Sequence, residues 1–510
     1  MSRRFEPAVK MQHPSVLVFI VAICLAVSPT PSVGQQKPVV ESTVQIPATA
    51  AGNLLSQWLT AFNTGDKDAI QKFLAQHLDP AEMKDPDRRL RMEMGFRQQT
   101  GGFDLEKIED STAKRISGTA KEKNSGRYAR VTLSVSETDP ARIAQFDVQL
   151  MAGRPEPEGP PPAKVPINQL TEDVDAKLTK LAIADMFSGA VLLAKDGKVL
   201  WQKAYGLADR EAKAPNTVGT RFRLGSMNKM FTAVAIAQLV QQGKLKFSDT
   251  LVQALPDYPN KEVAAKITVE QLLTHTSGLG DFFTPEFDQK KDSLHELKDY
   301  LSLFVNKPLD FEPGKNWRYS NAGFLVLGLI IERISGDSYY DYVKRHIYDV
   351  AGMNNSGSPP LTERISNLAV GYTRGEDDDP KAALRPNTDT LPWRGSSAGG
   401  GDSTVGDLLK FDQALRDHRL LSPEMTHLVT TGKVHPPQFP ASTKYAYGFS
   451  EKVVDGNHIV GHNGGAPGMN AELDMHLDTG YTVVVLANRD PSVADDWAKY
   501  ITGRLPVSGP

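Results

Sequence analysis

Cysteine is almost missing from this chain: one residue in 510, Cys24. It lies inside an apolar N-terminal run, Val16 to Val27, so everything downstream lacks a thiol. That excludes disulfides, a cysteine nucleophile and thiolate-ligated zinc from the body of the protein. A charge excess of one sign is lacking too. The 58 Lys and Arg nearly balance 61 Asp and Glu, for a net charge of -3, which gives no electrostatic footprint for nucleic acid. Long hydrophobic runs are also absent. Val16–Val27 is too short to span a bilayer comfortably, and no other segment is apolar enough. Two signatures are missing as well: H-E-x-x-H and the Walker A loop. The chemistries they serve therefore lack support, and neither a metal nor an organic cofactor is expected.

What is present is an ordinary globular composition, 40% apolar and 23% charged, in a chain long enough for two or three domains. Residues 1–34 read as a secretory signal. Arg3, Arg4 and Lys10 precede the apolar run, and Ser32 and Gly34 are placed for cleavage before Gln35. The protein is then secreted or periplasmic and has no membrane span after cleavage; the alternative is an uncleaved anchor. Ile23 stands where a lipidated Cys24 would need a small residue, which disfavours lipidation. The acidic run Glu376–Asp379 reads as a solvated loop rather than a metal site.

Residues 35–50 form a Pro/Thr/Val-rich leader. Residues 51–152 read as a small α+β domain. Leu54, Leu55, Trp58, Leu59 and Phe62 recur at helical spacing, as do Ile70, Phe73 and Leu74. Gly65 stops the first helix and Asp66 caps the second. Two alternating stretches follow, Ala129-Val131-Leu133-Val135 and Phe146-Val148-Leu150. The "W…AFN.GD…I..F" run resembles the NTF2-like (SnoaL-like) fold, which implies a homodimer contact or a small-ligand pocket. Residues 153–167, "GRPEPEGPPPAKVPI", are a proline-rich linker.

Residues 168–510 read as the second domain. Leu170, Val174, Leu178 and Leu181 stripe its first helix. Two apolar runs flank Asp196-Gly197, a strong hairpin signal, and a second hairpin turns at Asp478-Thr479-Gly480. A last helix carries Trp497, Tyr500 and Ile501. The expected architecture is an antiparallel sheet built from both ends of the domain, backed by terminal helices, with a helical region inserted.

Within that region, "LGSMNKMF" (Leu224–Phe231) sets Ser226 three residues before Lys229. That spacing puts both on one helical face. A partly desolvated amine can lose its proton and accept one from the hydroxyl. A helix beginning at Ser226 would also hold Oγ at the positive end of its dipole. S-x-x-K alone is weak: Ser111–Lys114 repeats it ahead of a strand, without an apolar helix. "RYSNAGF" adds Tyr319, a proton shuttle, and Asn321, a contact for lysine or substrate, before a strongly apolar helix. Tyr258-Pro259-Asn260 repeats that pattern, but in a proline turn. "VGHNGGAPG" adds His462, Gly464 and Gly465 before a strand. Glycines there let a substrate lie along the strand edge, and the N–H of Gly465, with that of Ser226, can form an oxyanion hole.

S-x-x-K, Y-x-N and H-x-G in this order resemble the serine β-lactamase/penicillin-binding protein superfamily, most closely its class C β-lactamase-related branch. "LLTHTSGL" (Leu272–Leu279) and "SSAGGGDSTVGDLLKF" (Ser396–Phe411) belong to the same likeness, which spans about residues 168–505. It implies a β-lactamase/transpeptidase-like α+β fold with a helical subdomain. Ser226 would be the acylated nucleophile, Lys229 its activator, Tyr319 the general acid/base and Asn321 a substrate and lysine contact. Whether Lys229 or Tyr319 takes the serine proton stays open. His275 and the pair Asp402-Ser403 read as structural, the latter as turn and cap. The bland readings make Ser226 a helix cap and His462 a packed histidine, and leave a vestigial scaffold that binds a ligand or partner.

The sequence departs from the β-lactamase pattern at one place: His462 stands where K-T-G would put lysine. A histidine near its ordinary pKa of ~6.5 is mostly neutral at pH 7 and offers little to a β-lactam carboxylate. An ester, amide or D-amino-acid peptide fits better as the small-molecule or peptide substrate. A D-Ala-D-Ala carboxypeptidase or a true β-lactamase is the alternative. Purified protein should therefore hydrolyse cephalosporins poorly at pH 8; efficient turnover in a spectrophotometric assay would contradict this.

Overall fold

The computed structural model describes residues 44–78, 86–124, 128–136, 138–151, 162–374, 383–436, 439–440 and 442–506. The signal segment, Cys24, the acidic run Glu376–Asp379 and most of the proline-rich linker lie outside the described residues. Among the described residues, no helix is long and apolar enough to cross a membrane.

Three helices, α1 (Ala50–Thr64), α2 (Lys67–His77) and α3 (Pro86–Thr100), precede four strands. The strands are β1 (Phe103–Ser111), β2 (Arg115–Glu122), β3 (Tyr128–Val135) and β4 (Ile143–Met151), paired in chain order as an antiparallel meander. The helix pattern shows only two of the three helices. In α3 the apolar residues do not gather into a clear stripe, so periodicity misses it. Gly65, at φ 68°, ends α1, and Asp66 accepts from the N–H groups of Asp68 and Ala69 to start α2. Trp58 and Phe62 stack at 4.8 Å over a core that includes Ile116, Ala129, Val131 and Leu133. Ser111 ends β1 and Lys114 stands in the turn to β2, so that S-x-x-K is incidental.

The larger sheet has seven antiparallel strands. Two come from the start of their region, β5 (Gly189–Lys195) and β6 (Lys198–Tyr205). Five come from its end: β7 (Thr443–Tyr445), β8 (Ser450–Val454), β9 (Asn457–Ala466), β10 (Met469–His476) and β11 (Tyr481–Ala487). Their order is β7-β8-β9-β10-β11-β5-β6, so the two ends meet where β11 pairs with β5. Asp196 and Gly197, at φ 47° and 74°, make the tight β5–β6 turn that their sequence announces.

Helices cover both faces. α4 (Ile167–Ile183) and the last helix, α8 (Val493–Thr502), pack Leu170, Val174, Leu178, Ala494 and Ile501 on Val191, Val483 and Val485. On the other face Leu192, Leu473 and Val484 join a larger core. It contains α5 (Lys229–Gln241), α6 (Asn321–Ser335) and α7 (Val405–Arg416). Double coverage explains why β11, "YTVVVLA", is buried at every position and apolar but for Thr482, whose hydroxyl donates to Asp412. α5 is buried at every position from Lys229 to Leu239, because it runs through the middle of this core. Its Phe231 meets Tyr348 and Phe411 edge-on at 5.2 and 4.9 Å. Phe231→Ala should cost about 3–5 kcal/mol in urea unfolding. A loss under about 1 kcal/mol would mean that α5 is not held this way.

Candidate active site

Gly225–Asn228 form a single 3-10 turn, and α5 begins after it, at Lys229. Ser226 therefore belongs to the turn and is not the cap of α5. This corrects the expectation of a helix starting at the serine. The turn is gripped from two sides. On one, the Leu224 N–H donates to Gly401 O at 2.6 Å and the Gly400 N–H to Gly225 O at 3.0 Å. Asn228 Nδ2 donates to Ser396 O at 2.8 Å and to the Tyr339 hydroxyl at 3.1 Å. On the other lies β9. A methyl at Gly464 would fall 1.8 Å from Leu224 O and 2.9 Å from Ser226 N. Gly225 itself sits at φ 55°, and a methyl there would stand 2.9 Å from Gly465 N.

Lys229 is 0% exposed. Its Nζ lies 3.3 Å from Ser226 Oγ, 2.8 Å from Asn321 Oδ1 and 2.5 Å from Ala398 O. Among the described residues, no carboxylate touches it. Burial pulls its pKa down to about 7, against an opposing pull from Asp281. The Tyr319 ring centroid is 4.6 Å from Nζ. Burial raises the Tyr319 phenol well above its ordinary value, with Ser226 the group that works against the rise. Its hydroxyl is buried and makes no hydrogen bond of ordinary geometry.

Asn321 is the first residue of α6, and Ser320 is its cap, accepting from the Gly323 N–H at 2.9 Å. Three bonds stitch this segment to the "HTSGLGD" loop. The Ser320 N–H donates to His275 Nδ1 at 3.1 Å, Ser320 Oγ to Gly280 O at 2.9 Å, and Asn321 Nδ2 to Asp281 Oδ2 at 2.7 Å. His275 packs on the Tyr319 and Tyr445 rings at 4.3 and 4.7 Å, the structural role expected of it.

His462 lies within β9, not ahead of a strand as its glycine-rich surroundings suggest. Glycines can line a strand interior where another backbone must come close. Its Nδ1 is 2.5 Å from Asn463 O, an acceptor only, so Nδ1 carries the proton. Burial, then Lys229, pushes the pKa down to about 3, so the ring is neutral. Nε2 consequently accepts from the Tyr445 hydroxyl at 3.0 Å. β8 pairs with β9 only as far as Ser450 opposite Gly461, leaving an open edge beyond. By the alternation of antiparallel bonds, Asn463 and Gly465 turn their backbone N–H groups to that edge.

The structure thus gathers Ser226, Lys229, Tyr319, Asn321, His462, Gly464 and Gly465 around one turn. The sequence reading missed Asp281, Tyr445 and the Ala398 carbonyl. Asp281 stands just past the quoted "LLTHTSGL"; Tyr445 carries no local signal. The pair Asp402-Ser403 is no turn: it is a short strand paired with Phe222-Arg223, and Asp402 takes Arg221 Nε at 2.5 Å. Thr404 supplies the cap of α7 instead. Tyr258 is buried, and Asn260 caps a short helix at Lys261–Lys266, away from this chemistry.

Residues 174–503 match the Beta-lactamase family. Penicillin-binding protein 4* of Bacillus subtilis (strain 168) is 32% identical over 324 residues, 60% of this chain and 68% of that protein. The crystal structure of a penicillin binding protein from Bacillus halodurans superposes with a TM-score of 0.57 at 33% identity, covering 66% of this chain and 98% of that one. A D-amino acid amidase from Ochrobactrum anthropi SV3 gives 0.56 at 25% identity, covering 66% and 97%. The chain belongs to the beta-lactamase family and is a serine hydrolase of that type.

The contact between β9 and the Gly225–Asn228 turn makes a direct forecast. Gly464→Ala must push Leu224 and Ser226 aside, and a misplacement near 1 Å costs on the order of 100-fold in reactivity. Labelling of Ser226 by a serine-directed electrophile should slow by about that factor while the fold persists by circular dichroism. Unchanged labelling would mean the strand does not position the serine.

Proposed function

We propose that Ser226 is the nucleophile of an acyl-enzyme mechanism acting on esters, amides or D-amino-acid peptides. The observation that carries this reading is the buried Lys229 Nζ, 3.3 Å from Ser226 Oγ, with its pKa down to about 7. Near neutral pH a substantial fraction of this amine is unprotonated and can take the Oγ proton. Oγ then attacks the substrate carbonyl carbon, and the oxyanion meets the N–H groups of Ser226 and Gly465. Collapse breaks the bond to the leaving group, which takes its proton from Tyr319. The tyrosine suits that donor role because burial holds it as a neutral phenol. The Lys229 ammonium restores the phenol, and water repeats the sequence to release the acid. Between the two candidate bases, these opposed shifts favour Lys229.

The substrate class rests on His462. Neutral and tied to Tyr445, it offers no positive charge for a carboxylate. The amidase likeness points the same way, toward amides of D-amino acids. We further propose that residues 51–152 form an NTF2-like domain that binds a small ligand or a second copy. Residues 153–167 would link it to the hydrolase of residues 168–510, and residues 1–34 would direct secretion. The self-contained core around Trp58 supports the first of these.

The test is intact mass of residues 35–510 after incubation with a fluorophosphonate, beside Ser226→Ala. One adduct on the wild type and none on the variant is the expected result, followed by turnover of nitrophenyl esters or D-amino-acid amides. Absence of any adduct on folded wild type would overturn the nucleophile assignment.

A further inference from the structure

We propose that Asp281 is a positioning residue for this chemistry: through Asn321 it fixes the acceptor that holds Lys229 Nζ beside Ser226. The inference rests on the nucleophile reading above and adds a residue to it. Asn321 Nδ2 lies 2.7 Å from Asp281 Oδ2. A carboxylate only accepts, so the amide must turn its N–H toward Asp281. Its oxygen is thereby turned to Lys229 Nζ, at 2.8 Å. Amide orientation, elsewhere a matter of choice between two nearly identical ends, has here a single solution.

Asp281 is itself held. Its Oδ1 accepts from the Phe283 N–H at 3.1 Å, so neither oxygen is idle and the side chain is braced against its own loop. The same loop grips Ser320 through His275 and Gly280. The carboxylate thus reaches the lysine only through one amide, an arrangement with two consequences. A carboxylate in contact with Nζ would form a tight ion pair and keep the lysine charged. One amide removed, it steadies the ammonium that forms after proton transfer without preventing the amine from forming.

Among the described residues, few titratable groups stand around Nζ. Tyr319 comes from the segment before α6, His275 from the loop that carries Asp281 and His462 from β9, while Tyr445 of β7 stands against the two histidines. The two histidines are held neutral by burial and the two phenols are held protonated. Asp281 is therefore the charged partner within this group that governs the ammonium, and removing its charge should make the amine available at lower pH.

The experiment is the second-order rate constant of fluorophosphonate labelling at Ser226 from pH 5 to 9. It uses the chain from residue 35 as wild type, Asp281→Asn, Asp281→Ala and Asp281→Glu. Wild-type labelling should rise through about pH 7. Asp281→Asn and Asp281→Ala should move that midpoint down by about one pH unit. Asp281→Ala, which leaves Asn321 free to turn over, should also lose about tenfold at the plateau. Asp281→Glu should restore the midpoint. Asp281 is part-exposed, and thermal melting followed by circular dichroism checks that each variant folds. Midpoints of both charge-removing variants that coincide with wild type would overturn the inference while leaving Ser226 as nucleophile. Wild type that labels nowhere would overturn both.

Discussion

A lysine with no exposed surface, and no carboxylate in contact among the described residues, is the constraint around which the seven-stranded part of the fold is arranged. Its three polar neighbours, the Ser226 hydroxyl, the Asn321 amide oxygen and the Ala398 carbonyl, are neutral. Neutral acceptors satisfy an ammonium's hydrogen bonds but repay little of its lost hydration. The proton is accordingly held loosely, as the proposed acyl-transfer mechanism needs. The surrounding apolar mass serves this end. α5 runs through the core, α6 brings Phe324 within 5.4 Å of Nζ, and the sheet closes one side. A solvated lysine at the same spacing from a serine would stay protonated at neutral pH.

Rigidity around the serine comes from backbone meeting backbone. The Gly225–Asn228 turn lies between β9 and the Gly399–Gly401 stretch, close enough that side chains at Gly225 or Gly464 would collide with main-chain atoms. Close-packed contacts of this kind leave little room for the turn to shift. The short strand pairing of Asp402-Ser403 with Phe222-Arg223, sealed by the Arg221–Asp402 ion pair, anchors the chain just before it. Next to the serine, the β9 edge continues past its last pair with β8, Ser450 opposite Gly461.

Histidine at position 462 changes what that edge can recognise. With Nδ1 donating to Asn463 O and Nε2 accepting from Tyr445, both nitrogens are in use. Charging the ring would place an imidazolium in a buried site beside Lys229, and burial first, then that lysine, opposes it. The neutral ring presents no charge there, which agrees with the ester or amide substrate proposed above.

Much of this was legible in the order of residues. The hairpin at Asp196-Gly197, the caps at Gly65 and Asp66, and the stripe Leu170-Val174-Leu178 follow from local geometry, which depends on neighbours a few positions apart. The serine–lysine pair was legible for the same reason, since three residues span one turn. Its company, Tyr319, Asn321 and His462, was found by type and order, while the distances among them were not. α3 escaped because its apolar residues show no clear stripe, and Asp402-Ser403 because its partner strand is far away in sequence. What only the tertiary structure decided was the depth at which Lys229 is buried, the amide orientation set by Asp281 and the tautomer of His462. The first two depend on groups separated by tens to hundreds of residues, the third on a local backbone geometry that the residue order does not show. Desolvation is a property of the packed surroundings that no local pattern encodes.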